Sequence, residues 1–165
     1  MPSINYFDQK YSKEAPRKEE EFGIGDNGNL AFTTLVESEK IAYVTNGSAR
    51  LVQFTPIDHN IIVKNNNGNE CSQCDGMLHV AETKELIFVE LKTKGKKWIP
   101  EAIAQLECTI NHFASQHTIS DFKYRCAYAA NSQHPHFNFS MKEVSAAFRS
   151  RTQFRLNITN KIVLK

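Results

Sequence analysis

Leu86-Ile87-Phe88-Val89-Glu90-Leu91-Lys92 is apolar at every position until a carboxylate and an amine appear two residues apart. Alternation along a strand puts Leu86, Phe88, Glu90 and Lys92 on one face and Ile87, Val89, Leu91 and Thr93 on the other. A run that is apolar on both faces predicts a central strand covered from both sides. Glu90 and Lys92 then approach the sheet interior, where ionisable groups are rare unless paired or bound to a metal. The pair is therefore a candidate active site.

Upstream, Cys74-Asp75-Gly76-Met77-Leu78-His79-Val80 reads as a second strand, separated from the first by the polar stretch Ala81-Glu82-Thr83-Lys84. With those four residues as the loop of a hairpin, Val80 faces Glu85 and Asp75 lies opposite Glu90, their Cβ atoms about 5 Å apart. Two carboxylates so placed repel, and both stay ionised only with a cation between them. Oxygen ligands suit a hard divalent ion such as Mg²⁺, with Mn²⁺ able to substitute. Lys92, one step along the same face, stands roughly 7 Å beyond Glu90, at the reaction centre rather than on the metal. His79 shares the face of Asp75 by parity, as a contact behind the site or as a core histidine.

Asp75, then Glu90-Leu91-Lys92, then a helix carrying Gln105-Leu106, resembles the PD-(D/E)xK nuclease superfamily and its restriction-endonuclease-like fold. The resemblance covers residues 71–110 closely and the remainder by layout. It implies that Asp75, Glu90 and the backbone carbonyl of Leu91 hold Mg²⁺, that Lys92 acts on the attacking water and the phosphate, and that Gln105 reaches the site. The chain departs from the pattern in having Cys74 where a Pro often precedes the Asp. The helix-one Glu of many members has only Glu37 and Glu39 as candidates.

The 165 residues suffice for one core, and 41% hydrophobic with 23% charged residues is ordinary for a soluble globular domain. A net charge of +2 hides a local bias: Lys92, Lys94, Lys96 and Lys97 crowd the exit of the catalytic strand. A nucleic-acid backbone would meet Lys94, Lys96 and Lys97 there; a solvated lysine loop is the plainer reading. No apolar stretch approaches the ~18 residues a membrane span needs, and residues 1–5 form no signal core, so a cytoplasmic protein without a membrane partner is expected. Cys71, Cys74, Cys108 and Cys126 are then reduced thiols. The Cys71 and Cys74 pair, with His134 and His136, is the alternative zinc set.

Residues 1–29 read as an N-terminal arm or short helix packed on the domain, and residues 30–165 as a nuclease-like α/β domain. Gly23, Gly25 and Gly28 read as a loop, because no hydrophobic strand precedes them. A helix is expected over residues 30–40, strands over 41–44 and 51–54 around Asn46-Gly47-Ser48, and a strand over 61–63. Asp58 is a turn former within possible reach of the site. Pro100 and the stripe Ile99, Ala102, Ile103, Leu106, Ile110 and Phe113 define a helix with Gln105 on its border. A strand over 122–130, parallel to the catalytic one, a helix over 141–148 and a closing strand over 158–164 complete the chain.

The sequence thus predicts a single α/β domain with a central mixed sheet flanked by helices. Its expected activity is Mg²⁺-dependent hydrolysis of phosphodiester bonds, with DNA favoured over RNA, and a homodimer or a place in a larger complex is the expected assembly. The alternative is a non-catalytic nucleic-acid-binding or assembly protein on the same fold.

Overall fold

The computed structural model describes residues 3–93, 95, 97–133 and 141–165, which form two mixed sheets and two α-helices. The first sheet is ordered β4-β5-β6-β7-β8. Its centre is β6 (Glu85–Lys92), the run apolar on both faces, buried at every residue but Lys92. Strand β5 (Gly76–Val80) pairs with it antiparallel, Val80 opposite Glu85 and Gly76 opposite Val89. Strand β4 (Gln53–Pro56) lies antiparallel outside β5, and β7 (Tyr124–Asn131) and β8 (Arg155–Ile158) run parallel to β6.

One face of β6 presents Leu86 and Phe88 to helix α1 (Trp98–Gln116), whose Ala102, Leu106, Ile110 and Phe113 are all buried. Pro100 stands in its first turn, where the missing N–H costs nothing. Helix α2 (Lys142–Thr152) joins this layer through Phe148. The N-terminal segment lies over α1: Tyr6 is fully buried against the Phe113 ring, its N–H donates to His117 Nε2 at 3.1 Å, and its hydroxyl meets His112 Nδ1 at 2.6 Å.

The opposite face, with Ile87, Val89 and Leu91, is covered by a second sheet rather than by helices. That sheet is ordered β2-β1-β3-β9 and comprises β1 (Glu21–Asp26), β2 (Ala31–Thr34), β3 (Ala42–Thr45) and β9 (Lys161–Val163). Phe22, Ile24, Val44 and Ile162 fill the space between the sheets. Several local expectations change accordingly. Residues 30–40 are not a helix: the β-branched Thr33 and Thr34 pair with β1, and only Glu37–Glu39 makes a single 3-10 turn. Gly23 and Gly25 belong to β1 rather than a loop; a side chain at Gly25 would collide with the Glu39 carbonyl. The strands flanking Asn46-Gly47-Ser48 enter different sheets, residues 61–63 form no strand, and the closing strand expected over 158–164 shortens to β9, with an unforeseen β8 ending at Ile158 in the other sheet. Among the described residues no helix is long and apolar enough to cross a membrane.

Candidate functional site

Extending the β5–β6 register by one residue sets Asp75 opposite Glu90. The Asp75 N–H donates to the Val89 carbonyl at 3.1 Å, and its Oδ2 accepts from the Leu91 N–H at 2.7 Å. A four-residue connection, Ala81-Glu82-Thr83 in a 3-10 turn with Lys84 in the left-handed region, fixes that register. Glu90 is 1% exposed. Burial first, and then the neighbouring Asp75 charge and hydrogen bond, push its carboxyl up to about 10. Burial is also the largest cause that raises the Asp75 carboxyl, with the charges of Asp26 and Asp58 adding to it against the bonds from Glu90 and Leu91. At hydrogen-bonding separation a like-charged pair costs about 4 kcal/mol even at an effective dielectric of 20. Without a cation, one of the two carboxyls therefore keeps its proton at neutral pH.

Lys92 joins the pair from the same strand face. Its Nζ lies 3.0 Å from Glu90 Oε2, 3.0 Å from Glu101 Oε1 and 2.8 Å from Gln105 Oε1. Burial works against its charge, but Glu90 and Glu101 outweigh it and hold the ammonium above its ordinary range. Gln105 donates in turn to the Gln73 carbonyl at 3.3 Å, so its side chain bridges the ammonium to the segment leading into Asp75. Glu90 Oε2 is thereby engaged. Glu90 Oε1 is buried and meets no N–H or hydroxyl, which leaves the proton shared with Asp75 to serve the pair.

The structure thus gathers Asp75, Glu90, Lys92 and Gln105, with the Leu91 backbone tied to Asp75. The other candidates fall elsewhere. Lys97 is exposed just before α1, with φ of 60°, while Lys94 and Lys96 lie outside the described residues. His79 shares the strand face of Asp75 but packs on the rings of Phe7 and Phe122, with burial lowering its basicity, as a core histidine does. Glu37 binds Lys40 and the Tyr43 hydroxyl, and Glu39 accepts from the Thr34 hydroxyl, so both have partners within their own sheet. Asp58, by contrast, lies beside the site: its N–H donates to the Cys74 carbonyl at 3.2 Å and its charge acts on Asp75, while its side chain stays half exposed next to His59.

Two acidic contributors were not anticipated. Glu101 shares a helix face with Gln105, and its i, i+4 spacing is a signal the sequence carries. Asp26, at the end of β1, reaches Asp75 electrostatically only because the second sheet packs behind the first. Cys74 is buried, its N–H bonded to the Thr109 hydroxyl at 2.8 Å, and burial pushes its thiol up. All four cysteines are free thiols; His134 and His136 of the alternative zinc set lie outside the described residues. Among the described residues no group of three or more His, Cys, Asp or Glu side chains is arranged to hold a metal ion, so protein carboxylates alone would supply an incomplete shell. No family model, curated protein or solved structure matches the chain.

Proposed function

We propose that this protein is a divalent-metal-dependent nuclease of the PD-(D/E)xK kind, with a restriction-endonuclease-like core, hydrolysing phosphodiester bonds in DNA. The observation that carries the reading is Asp75 set opposite a fully buried Glu90, two carboxyls that share a proton because they cannot both ionise without a cation. A divalent cation in place of that proton would let both carboxyls ionise. Two carboxylates and a backbone carbonyl are hard oxygen donors, and Mg²⁺ routinely completes so small a protein set with water. The donor set therefore fits Mg²⁺ or Mn²⁺.

Asp75 and Glu90 would hold the metal, with the Leu91 carbonyl beside them. The bound ion supplies Lewis acidity toward the scissile phosphate and a water of lowered pKa. Leu91 N–H orients the Asp75 carboxylate before any ligand arrives. Lys92 presents a permanent positive charge to the phosphate and the attacking water, and Gln105 and Glu101 keep its ammonium in place. A module that only binds phosphates has no use for two buried carboxylates at its centre, which weighs against the non-catalytic alternative.

Incubation with linear, circular and single-stranded DNA, and with RNA, in 1 to 10 equivalents of Mn²⁺ per site and then in excess tests the reading. Cleavage that needs the metal and disappears in Glu90→Ala is expected. Absence of cleavage on every substrate with both Mg²⁺ and Mn²⁺ would overturn it.

A further inference from the structure

The end of the sheet opposite Glu90 carries a concentration of positive charge that the proposed chemistry does not use. A hollow of about 190 Å³ at the beginning of β7 and β8 is lined by Lys123, Arg125, Arg149, Arg155 and Lys165, with no Asp or Glu side chain in its wall. Lys123 and Tyr124 also line a neighbouring hollow of about 450 Å³, to which Arg50 and Lys84 contribute, with Glu82 paired to Arg50 at 2.8 Å. Nearby Glu85 is buried and accepts the Lys165 backbone N–H at 3.2 Å.

None of the five cations of the first hollow forms an ion pair among the described residues. Lys123 and Lys165 instead flank the Tyr124 ring, 5.1 and 5.2 Å from its centre, and Arg125 donates to the Ile119 carbonyl. Arg149 has a local reason to be there, since a cation suits the C-terminal turn of α2. Of the other four, Lys123 and Arg125 stand at the start of β7, Arg155 on β8 and Lys165 beyond β9, and only Lys165 has a carboxylate, Glu85, acting on its charge. Their crowding lowers its cost only when an external anion arrives.

We propose that this face is a binding groove for a phosphodiester backbone, at the opposite end of β6 and β7 from the carboxylate site. Three arginines present planar forks that match phosphate oxygens bidentately, and the band runs across two adjoining hollows, longer than one phosphate requires. The selection of DNA among polyanions rests on the nuclease reading; the groove itself does not rest on hydrolysis. Glu85 and Glu90 bracket the distance along the strand, five residues or roughly 17 Å, so one DNA molecule would have to pass round the domain or a second strand would be held apart from the first.

Fluorescence anisotropy of a labelled 20-nucleotide single strand, titrated in EDTA across a salt series, tests the groove without cleavage. Lys123→Glu with Arg155→Glu is expected to weaken binding about tenfold or more and to reduce the slope of log affinity against log salt by ~1.4, two contacts at ~0.7 each. The milder pair Lys123→Gln with Arg149→Gln should move both quantities in the same direction and guards against a folding defect in the first. Lys18→Glu with Lys161→Glu, exposed cations elsewhere, serves as the control for net charge. Equal losses in control and groove variants, wild-type affinity in the groove variants, or no binding by the wild type would overturn the proposal. So would complete displacement of the strand by equimolar inorganic tripolyphosphate, which would assign the hollow to a small polyphosphate. Intact binding in EDTA without cleavage in Mn²⁺ would remove the nuclease reading and leave the groove; the reverse result would remove the groove alone.

Discussion

The backbone N–H of Leu91 donates to the Asp75 carboxylate at 2.7 Å, so a side chain one residue outside the ladder of β5 is held against the strand that carries Glu90 and Lys92. Asp75 is thus oriented by the sheet itself, and its position does not depend on a ligand. Asp75→Asn keeps an acceptor for Leu91 and removes the charge. It should fold with a thermal midpoint at or above that of the wild type and lose metal-dependent cleavage. Asp75→Ala should lose cleavage equally but forfeit the bond, at a cost of about 1 to 3 kcal/mol. Differential scanning calorimetry beside a cleavage assay separates the two effects.

Glu90 links stability to pH with a defined sign. Its folded carboxyl is pushed up to about 10, above its ordinary value near 4.5, so the folded state binds the proton more tightly than the unfolded chain does. Stability from this group is fully present below the unfolded value and is lost as pH rises toward 10. The apo protein should therefore melt at progressively lower temperature from neutral to alkaline pH. Glu90→Gln, which mimics the protonated form, should flatten that decline and show little gain at pH 4. Parallel melting curves for the two proteins across this range would contradict the assignment.

Metal binding should release a proton for the same reason. If a cation takes the place of the proton held between Asp75 and Glu90, Mg²⁺ affinity rises by about tenfold per pH unit over the range where Glu90 is protonated. Titration calorimetry in two buffers of different ionisation enthalpy counts the proton directly. A pH-independent affinity with no proton released would place the metal elsewhere.

Lys92 and Gln105 are expected to differ in kind. Lys92→Ala should lower the cleavage rate by about 10² or more while leaving Mg²⁺ affinity in place, since its charge acts on phosphate and water. Gln105→Ala removes a bond that orients the ammonium and should cost less, with Gln105→Glu partly restoring the rate by offering the same acceptor. Calorimetry showing Lys92→Ala unable to bind Mg²⁺ would reverse the division of roles.

Gly76 sits immediately after Asp75, and a Cβ there would run into the Phe54 ring of the adjacent strand and press on the Thr55 carbonyl. Gly76→Ala should destabilise the protein by about 1 to 3 kcal/mol and disturb Asp75 as β4 and β5 part. Equilibrium denaturation in urea measures the first effect, and Mg²⁺ affinity the second.

The period-2 run of β6 and the four-residue connection before it determined, from the residues alone, which strand is central and which carboxylate faces which. With both faces of β6 buried, a slip of one residue would turn Glu90 and Lys92 from the face of α1 into the apolar layer between the sheets and part Asp75 from Glu90. The stripe on α1 likewise placed Gln105 within reach of Lys92, because strand and helix follow each other directly. The layer behind the sheet was not legible. Gly23 and Gly25 weaken the strand signal of β1, and their place in it follows from close approach by Lys40 and the Glu39 carbonyl, partners supplied by another part of the chain. Residues 155–163 similarly divide between two sheets, with Leu156 facing one core and Ile162 the other, a choice no local pattern encodes. The tertiary structure also decided the charge state of the site and the gathering of Lys123, Arg149 and Lys165 into one groove. Burial, the approach of Asp26 and the convergence of distant chain segments depend on which layers pack together, and alternation along a strand reports only which face a residue takes.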